Sequence, residues 1–150
     1  MTRQAIWKSM VAGLCGSIAH SLLMLFKQQS GILPAFQPYD SLQAVLAEVT
    51  GRNVPAFVPW VLSFLNGSTL VGFAFGYAYP VLPGGSGAVK GLIFGLLGWI
   101  AMGVLFFPLI GLGVFASGTD LGAAPALFSL AMLLAYSVVL GVVYAALAAR

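Results

Sequence analysis

The sequence predicts an all-α fold: a four-transmembrane-helix bundle with a short interfacial helix on its outer side. Three observations carry that expectation. Of 150 residues, 61% are hydrophobic and only 6% are charged, whereas a water-soluble domain has about a quarter of its residues charged. The mean hydropathy is +1.05. Four stretches, residues 9–26, 58–79, 91–110 and 125–149, reach the roughly 17–25 apolar residues with which a helix crosses a bilayer core about 30 Å thick. Residues 1–150 are therefore expected to form a single integral membrane domain.

The first span follows Arg3 and Lys8, a pattern shared with signal peptides. No small-residue cleavage site comes after it, so this segment is expected to remain as a helix. The connection after it contains a further helix over about residues 41–50. Asp40 is a candidate N-cap there, with Gln43 in the place of a capping box. Leu42, Val45, Leu46 and Val49 recur at helical spacing and Gly51 ends the run. This apolar stripe is expected to lie at the outer interface against lipid or the bundle, with Phe36, Tyr39 and Trp60 in an aromatic belt. Pro55 and Pro59 mark the start of the second span, and Pro125 suits the first turn of the fourth. Pro108 can end or kink the third.

Orientation is read from Lys and Arg. The amino end, the second connection and the carboxyl end hold Arg3, Lys8, Lys90 and Arg150. The first and third connections hold Lys27 and Arg52 together with all the acids, Asp40, Glu48 and Asp120. The positive-inside bias places both chain ends in the cytoplasm. The pI near 9.3 does not point to nucleic acid, because the basic residues form no patch or stripe. Cys15, the single cysteine, excludes an intrachain disulfide and reads as a packed thiol.

An internal duplication of a two-helix unit is expected. Setting Lys8 on Lys90 brings Gly13, Leu14, Gly16 and Ile18 onto Gly95, Leu96, Gly98 and Ile100. The second and fourth spans align through Leu62 with Leu127, Gly76 with Gly141 and Tyr79 with Tyr144. Two spans per unit return the chain to its starting side, so the units are parallel about an axis along the membrane normal. Four-residue spacings of small side chains supply close-packing faces: Gly13, Ser17 and Ser21; Ser68, Gly72 and Gly76; Gly87, Gly91 and Gly95; Ser137, Gly141 and Ala145. Gly16 extends the first of these faces towards His20.

His20, the sole histidine, lies inside the first span, where ionisable groups are functional suspects. It either bonds structurally to Ser17, Ser63 or a carbonyl, or ligates a porphyrin. The repeat places Met102 opposite it, and His/Met is a haem ligand pair; a bacteriochlorin would need His20 alone. Asn66, with Ser63, Ser68 and Thr69, makes the second span polar near its middle. Interhelical hydrogen bonding or a small polar pathway are the alternatives. Gly84-Gly85-Ser86-Gly87 before Lys90 lacks the spacing of a phosphate loop and reads as a turn, with Lys90 within reach of lipid headgroups. No nucleophile with a base, metal cluster or facing carboxylates is evident, so the chain is not expected to be an enzyme on its own.

The motifs Trp60-x-Leu62-Ser63-Phe64-x-x-Gly67, Leu82-Pro83-Gly84, Lys90-Gly91-Leu92-Ile93-Phe94-Gly95, Pro108-x-x-Gly111-x-Gly113-x-Phe115 and Tyr136-x-x-x-Leu140-Gly141-x-x-Tyr144 resemble those of an uncharacterised family of small four-helix bacterial inner-membrane proteins. The resemblance implies a fold and a membrane but no activity. The functional expectation is an accessory or structural subunit of a larger membrane complex, with lipid and other membrane subunits as partners. The alternatives are a protein holding haem, pigment, quinone or lipid between its helices, and a small channel or transporter.

Overall fold

The computed structural model describes residues 3–149, and every regular element in it is helical. Arg150, counted above for orientation, lies outside the described residues. Helix α1 spans Arg3–Ser30, α2 Pro38–Thr50, α3 Phe57–Ala78, α4 Gly87–Leu109 and α5 Ala124–Ala148. All but α2 are long and apolar enough to cross a membrane. Their outward faces carry side chains such as Leu22, Leu70, Leu105 and Leu109, each more than 60% exposed.

The helices run antiparallel in sequence, so one end of the bundle gathers the chain termini and the other carries α2. Around the bundle the order is α3, α1, α5, α4, and the backbones of α3 and α4 do not come close. Small residues set the closed seams. A Cβ on Gly13 would stand 2.8 Å from the Ser68 carbonyl oxygen, and one on Gly72 would stand 2.8 Å from that of Ser9. Between α4 and α5, a Cβ on Gly87 or Gly91 would strike the backbone of Gly141 or Ser137. Gly76, Gly95 and Ser17 are buried as well. Backbones this close give the dispersion contact that must replace hydrophobic burial once helices are in lipid.

Two wide helical turns interrupt the spans, and each has a local cause. At Gly67–Val71 the Gly72 N–H reaches back five residues to the Gly67 carbonyl. Here Ser68 Oγ donates to the Phe64 carbonyl at 2.7 Å and Thr69 Oγ1 to that of Leu65 at 2.6 Å, back-bonding that loosens a helix. At Met102–Phe106 the Phe107 N–H bonds to the Met102 carbonyl. Pro108 follows, lacks an N–H and crowds the carbonyl four residues earlier; the widened turn relieves that clash. The span then ends one residue beyond Pro108, at Leu109.

Several expectations are corrected. Helix α1 is longer at both ends than 9–26. Helix α2 begins at Pro38 rather than after Asp40, and the side chain of its N-cap Gln37 does not bond the helix end but donates to the Pro34 carbonyl at 3.2 Å. Proline fits the first turn because the missing N–H has no partner there in any case. Gln43 is not part of a capping box: its Nε2 donates to the Val54 carbonyl at 2.6 Å and ties α2 to the chain leading into α3. Leu42 and Val45 pack on the bundle, while Val49 is 79% exposed. Phe36 leaves the aromatic belt for the interior, 2% exposed and edge-on to Phe107 at 5.9 Å. Tyr39 and Trp60 do stand together, with ring centroids 4.8 Å apart.

Candidate functional site

Two packed clusters occupy the two ends of the bundle. Phe75, Tyr136, Leu140 and Tyr144 fill the end with the termini. Phe36, Phe107, Ile110 and Ala116 fill the end under α2. Between them lies a cavity of about 460 Å³, bordered by all four long helices and covered by Pro38, Tyr39 and Leu42 of α2. This size lies in the range of roughly 300–1,000 Å³ typical of small-molecule sites. Between α3 and α4 the backbones stand apart and side chains make the contact, Phe75 edge-on to Phe94 at 5.1 Å; Leu62 and Asn66 of α3 line the cavity and are exposed.

His20, Ser63, Asn66 and Met102, singled out from three separate spans, all border this one cavity. The imidazole of His20 and the carboxamide of Asn66 have no hydrogen-bond partner among the described residues. Ser63 does not bond to His20; it accepts from the Tyr39 hydroxyl at 2.8 Å, which pins α2 to α3. Burial pushes the Tyr39 hydroxyl up from its ordinary pKa, and the Ser63 bond opposes part of that shift. Ser17 turns away from His20 and donates to the Phe64 carbonyl at 3.3 Å. No acidic, lysine or arginine side chain lines the cavity, and no group of metal-ligating residues is found among the described residues.

Both wide turns contribute wall: Gly67 and Val71 from one, Met102 and Phe106 from the other. A wide turn shifts side-chain phase along its helix, and such turns occur often at functional sites. Tyr136 forms the partition towards the terminal end. Its hydroxyl donates to the Gly67 carbonyl at 2.5 Å, and a Cβ on Gly16 would meet its ring at 2.8 Å. Gly16 therefore makes room for Tyr136.

Lys27 was not foreseen here. The sequence places it among the charges of the first connection, yet it is 1% exposed. Its Nζ donates to the carbonyls of Phe36 at 2.6 Å and Leu33 at 3.3 Å, and lies 5.9 Å from the Phe36 ring and 6.0 Å from that of Phe128. It anchors the loop that carries α2 over the cavity. The signal available was position: a lysine in the last turn of a helix readily caps carbonyls. Lys90 does likewise at the other end, donating to the Tyr79 carbonyl at 2.7 Å with its Nζ 4.4 Å from the Tyr79 ring centroid.

A family of unknown function, DUF6789, matches residues 3–150. The chain belongs to this family. No curated protein and no solved structure matches the chain. The family membership of DUF6789 agrees with the resemblance drawn from the motifs and brings no activity with it.

Proposed function

We propose that this DUF6789 protein is a non-catalytic membrane protein that holds an uncharged lipophilic molecule between its helices. One observation carries the reading: a cavity of about 460 Å³, mainly apolar, has the unpartnered side chains of His20 and Asn66 on its wall. A polar group facing an apolar space costs about 1–3 kcal/mol unless a partner is supplied, and a bound molecule supplies one. The gap between α3 and α4 gives access from the lipid. The positive-inside bias supports chain ends in the cytoplasm, the motif resemblance to small bacterial inner-membrane proteins supports that membrane, and the shared Lys8 and Lys90 spacing supports a duplicated two-helix unit.

Among the ligands considered, haem is disfavoured. A metal-bound imidazole almost always donates its other ring N–H to an oxygen, and His20 has no such acceptor among the described residues. Quinone and lipid need no such support.

The test is purification from native membranes in mild detergent, followed by solvent extraction and mass spectrometry. One lipophilic species should accompany the protein in near-stoichiometric amount, well above its share of bulk lipid. Gly98→Leu should remove it, because Gly98 lines the cavity and a Cβ there meets only Leu133, at 3.5 Å. Recovery of bulk lipid alone, with a protein subunit copurifying instead, would replace this reading with that of an accessory subunit.

A further inference from the structure

The geometry points to a quinone-class ligand: a flat, uncharged ring bearing carbonyl or hydroxyl oxygens that bond to His20 and Asn66, with its apolar tail leaving between α3 and α4. This inference rests on the binding role proposed above and narrows its chemistry. Four observations lead to it. The wall carries hydroxyl, imidazole and carboxamide groups, and no acidic, lysine or arginine side chain among the described residues lines the cavity, so a carboxylate or phosphate would enter without a counter-charge. A neutral imidazole offers one donor and one acceptor, and a carboxamide offers two donors and an acceptor. Together they match both a ring carbonyl and a ring hydroxyl. A hydrocarbon chain would leave both groups unpaired.

The walls suit a ring as well. Phe64, Phe94, Phe106, Phe128 and Tyr136 border the cavity, and aromatic pairs gain offset or edge-on contact beyond area alone. The fourth observation is the lateral gap. Asn66 and Leu62 of α3 line the cavity and remain exposed, so the polar position lies at its mouth. A head held there leaves its tail among lipid chains and does not have to bury it whole.

The experiment uses the full chain in nanodiscs of quinone-free synthetic phosphatidylcholine. Two probes are titrated: decylubiquinone, and decylbenzene, which keeps the ring and tail but has no oxygen. Native mass spectrometry reads occupancy, and quenching of tryptophan fluorescence, to which Trp60 beside the Tyr39 lid contributes, reads affinity. Wild type should bind one decylubiquinone saturably. His20→Leu and Asn66→Leu should each weaken binding about tenfold, the size of one hydrogen bond with its unpaired partner left behind. His20→Gln, which restores a donor, should bind within about threefold of wild type, and decylbenzene should not distinguish any of these proteins. Equal decylubiquinone affinity in wild type and both leucine variants would overturn the quinone assignment while leaving the lipophilic cavity intact. Failure of both probes to bind, together with an extract of bulk lipid alone, would overturn the binding role itself.

Discussion

The two halves of this bundle are built from the same helices and packed in opposite ways. In the half with the chain termini, Gly72 faces the backbone of Ser9, while Gly87 and Gly91 face that of Gly141 and Ser137. There is no space for another carbon. In the half under α2, the same helices part around about 460 Å³. A further glycine carries the helix face into that half: Gly98 follows three residues after Gly95, and a Cβ on it meets one leucine methyl at an ordinary 3.5 Å. What changes is the partner. The Tyr136 ring stands against Gly16 and the Phe115 ring against Gly103, where the other half sets backbone against backbone. A small residue therefore marks a seam only where the opposing helix also presents backbone.

The sharpest way to break this comparison is to place the same side chain in both halves. Gly141→Leu drives a side chain into the Gly87 carbonyl and is expected to cost about 3 kcal/mol or more, seen as a much lower thermal midpoint in detergent. Gly98→Leu should change stability by less than about 1 kcal/mol. Equal losses would mean that the α2 half is also tightly sealed.

Next in size is Lys27→Met, which strands the Phe36 and Leu33 carbonyls. A loss of about 2 kcal/mol is expected, with faster amide exchange over residues 31–50 than over α5. Uniform exchange across both would show that Lys27 does not hold the lid.

Tyr39→Phe removes the 2.8 Å bond to Ser63 and should cost about 1 kcal/mol. It should also alter the alkaline limb. Burial raises the Tyr39 pKa in the folded protein, so above about pH 10, where an unfolded tyrosine ionises, the folded state binds the extra proton and stability falls as pH rises. The variant should lose less stability between neutral and alkaline pH than wild type does. A steeper alkaline loss in the variant would contradict this.

The smallest stability effect belongs to His20→Leu, within about 1 kcal/mol of wild type, because the imidazole bonds to no group among the described residues. A larger loss in thermal unfolding would make His20 a structural residue and remove it from the ligand site.

Much of the architecture was legible because hydropathy and length alone specify membrane spans. The packing faces were legible for the same kind of reason: Gly13, Gly72, Gly91 and Gly141 stand out at four-residue spacing in chains where glycine is costly. His20, Asn66, Ser63 and Met102 stood out singly as polar or sulfur-bearing groups in apolar surroundings. That they share one wall did not follow, since it depends on which helices touch. Helix order around a bundle leaves no periodic trace.

Other features were hidden for local reasons. The wide turn at Gly67–Val71 depends on Ser68 and Thr69 bonding backwards rather than across the interface, a choice set by rotamer. Lys27 looked like an ordinary helix-end cation, and its burial follows from the loop folding over it. The N-terminus of α2 was misplaced by three residues because Asp40 and Gln43 fit a capping box that Pro38 pre-empts by starting the helix earlier.

The central claim is that the hollow half is occupied in the membrane, with its polar wall satisfied by the occupant. An electron cryomicroscopy map of the protein in nanodiscs made from its native membrane tests this directly. The account predicts elongated density between α3 and α4, with one end within hydrogen-bond distance of His20 and Asn66. Helices α3 and α4 closed on each other, with those side chains bonded to protein and no density between them, would contradict it.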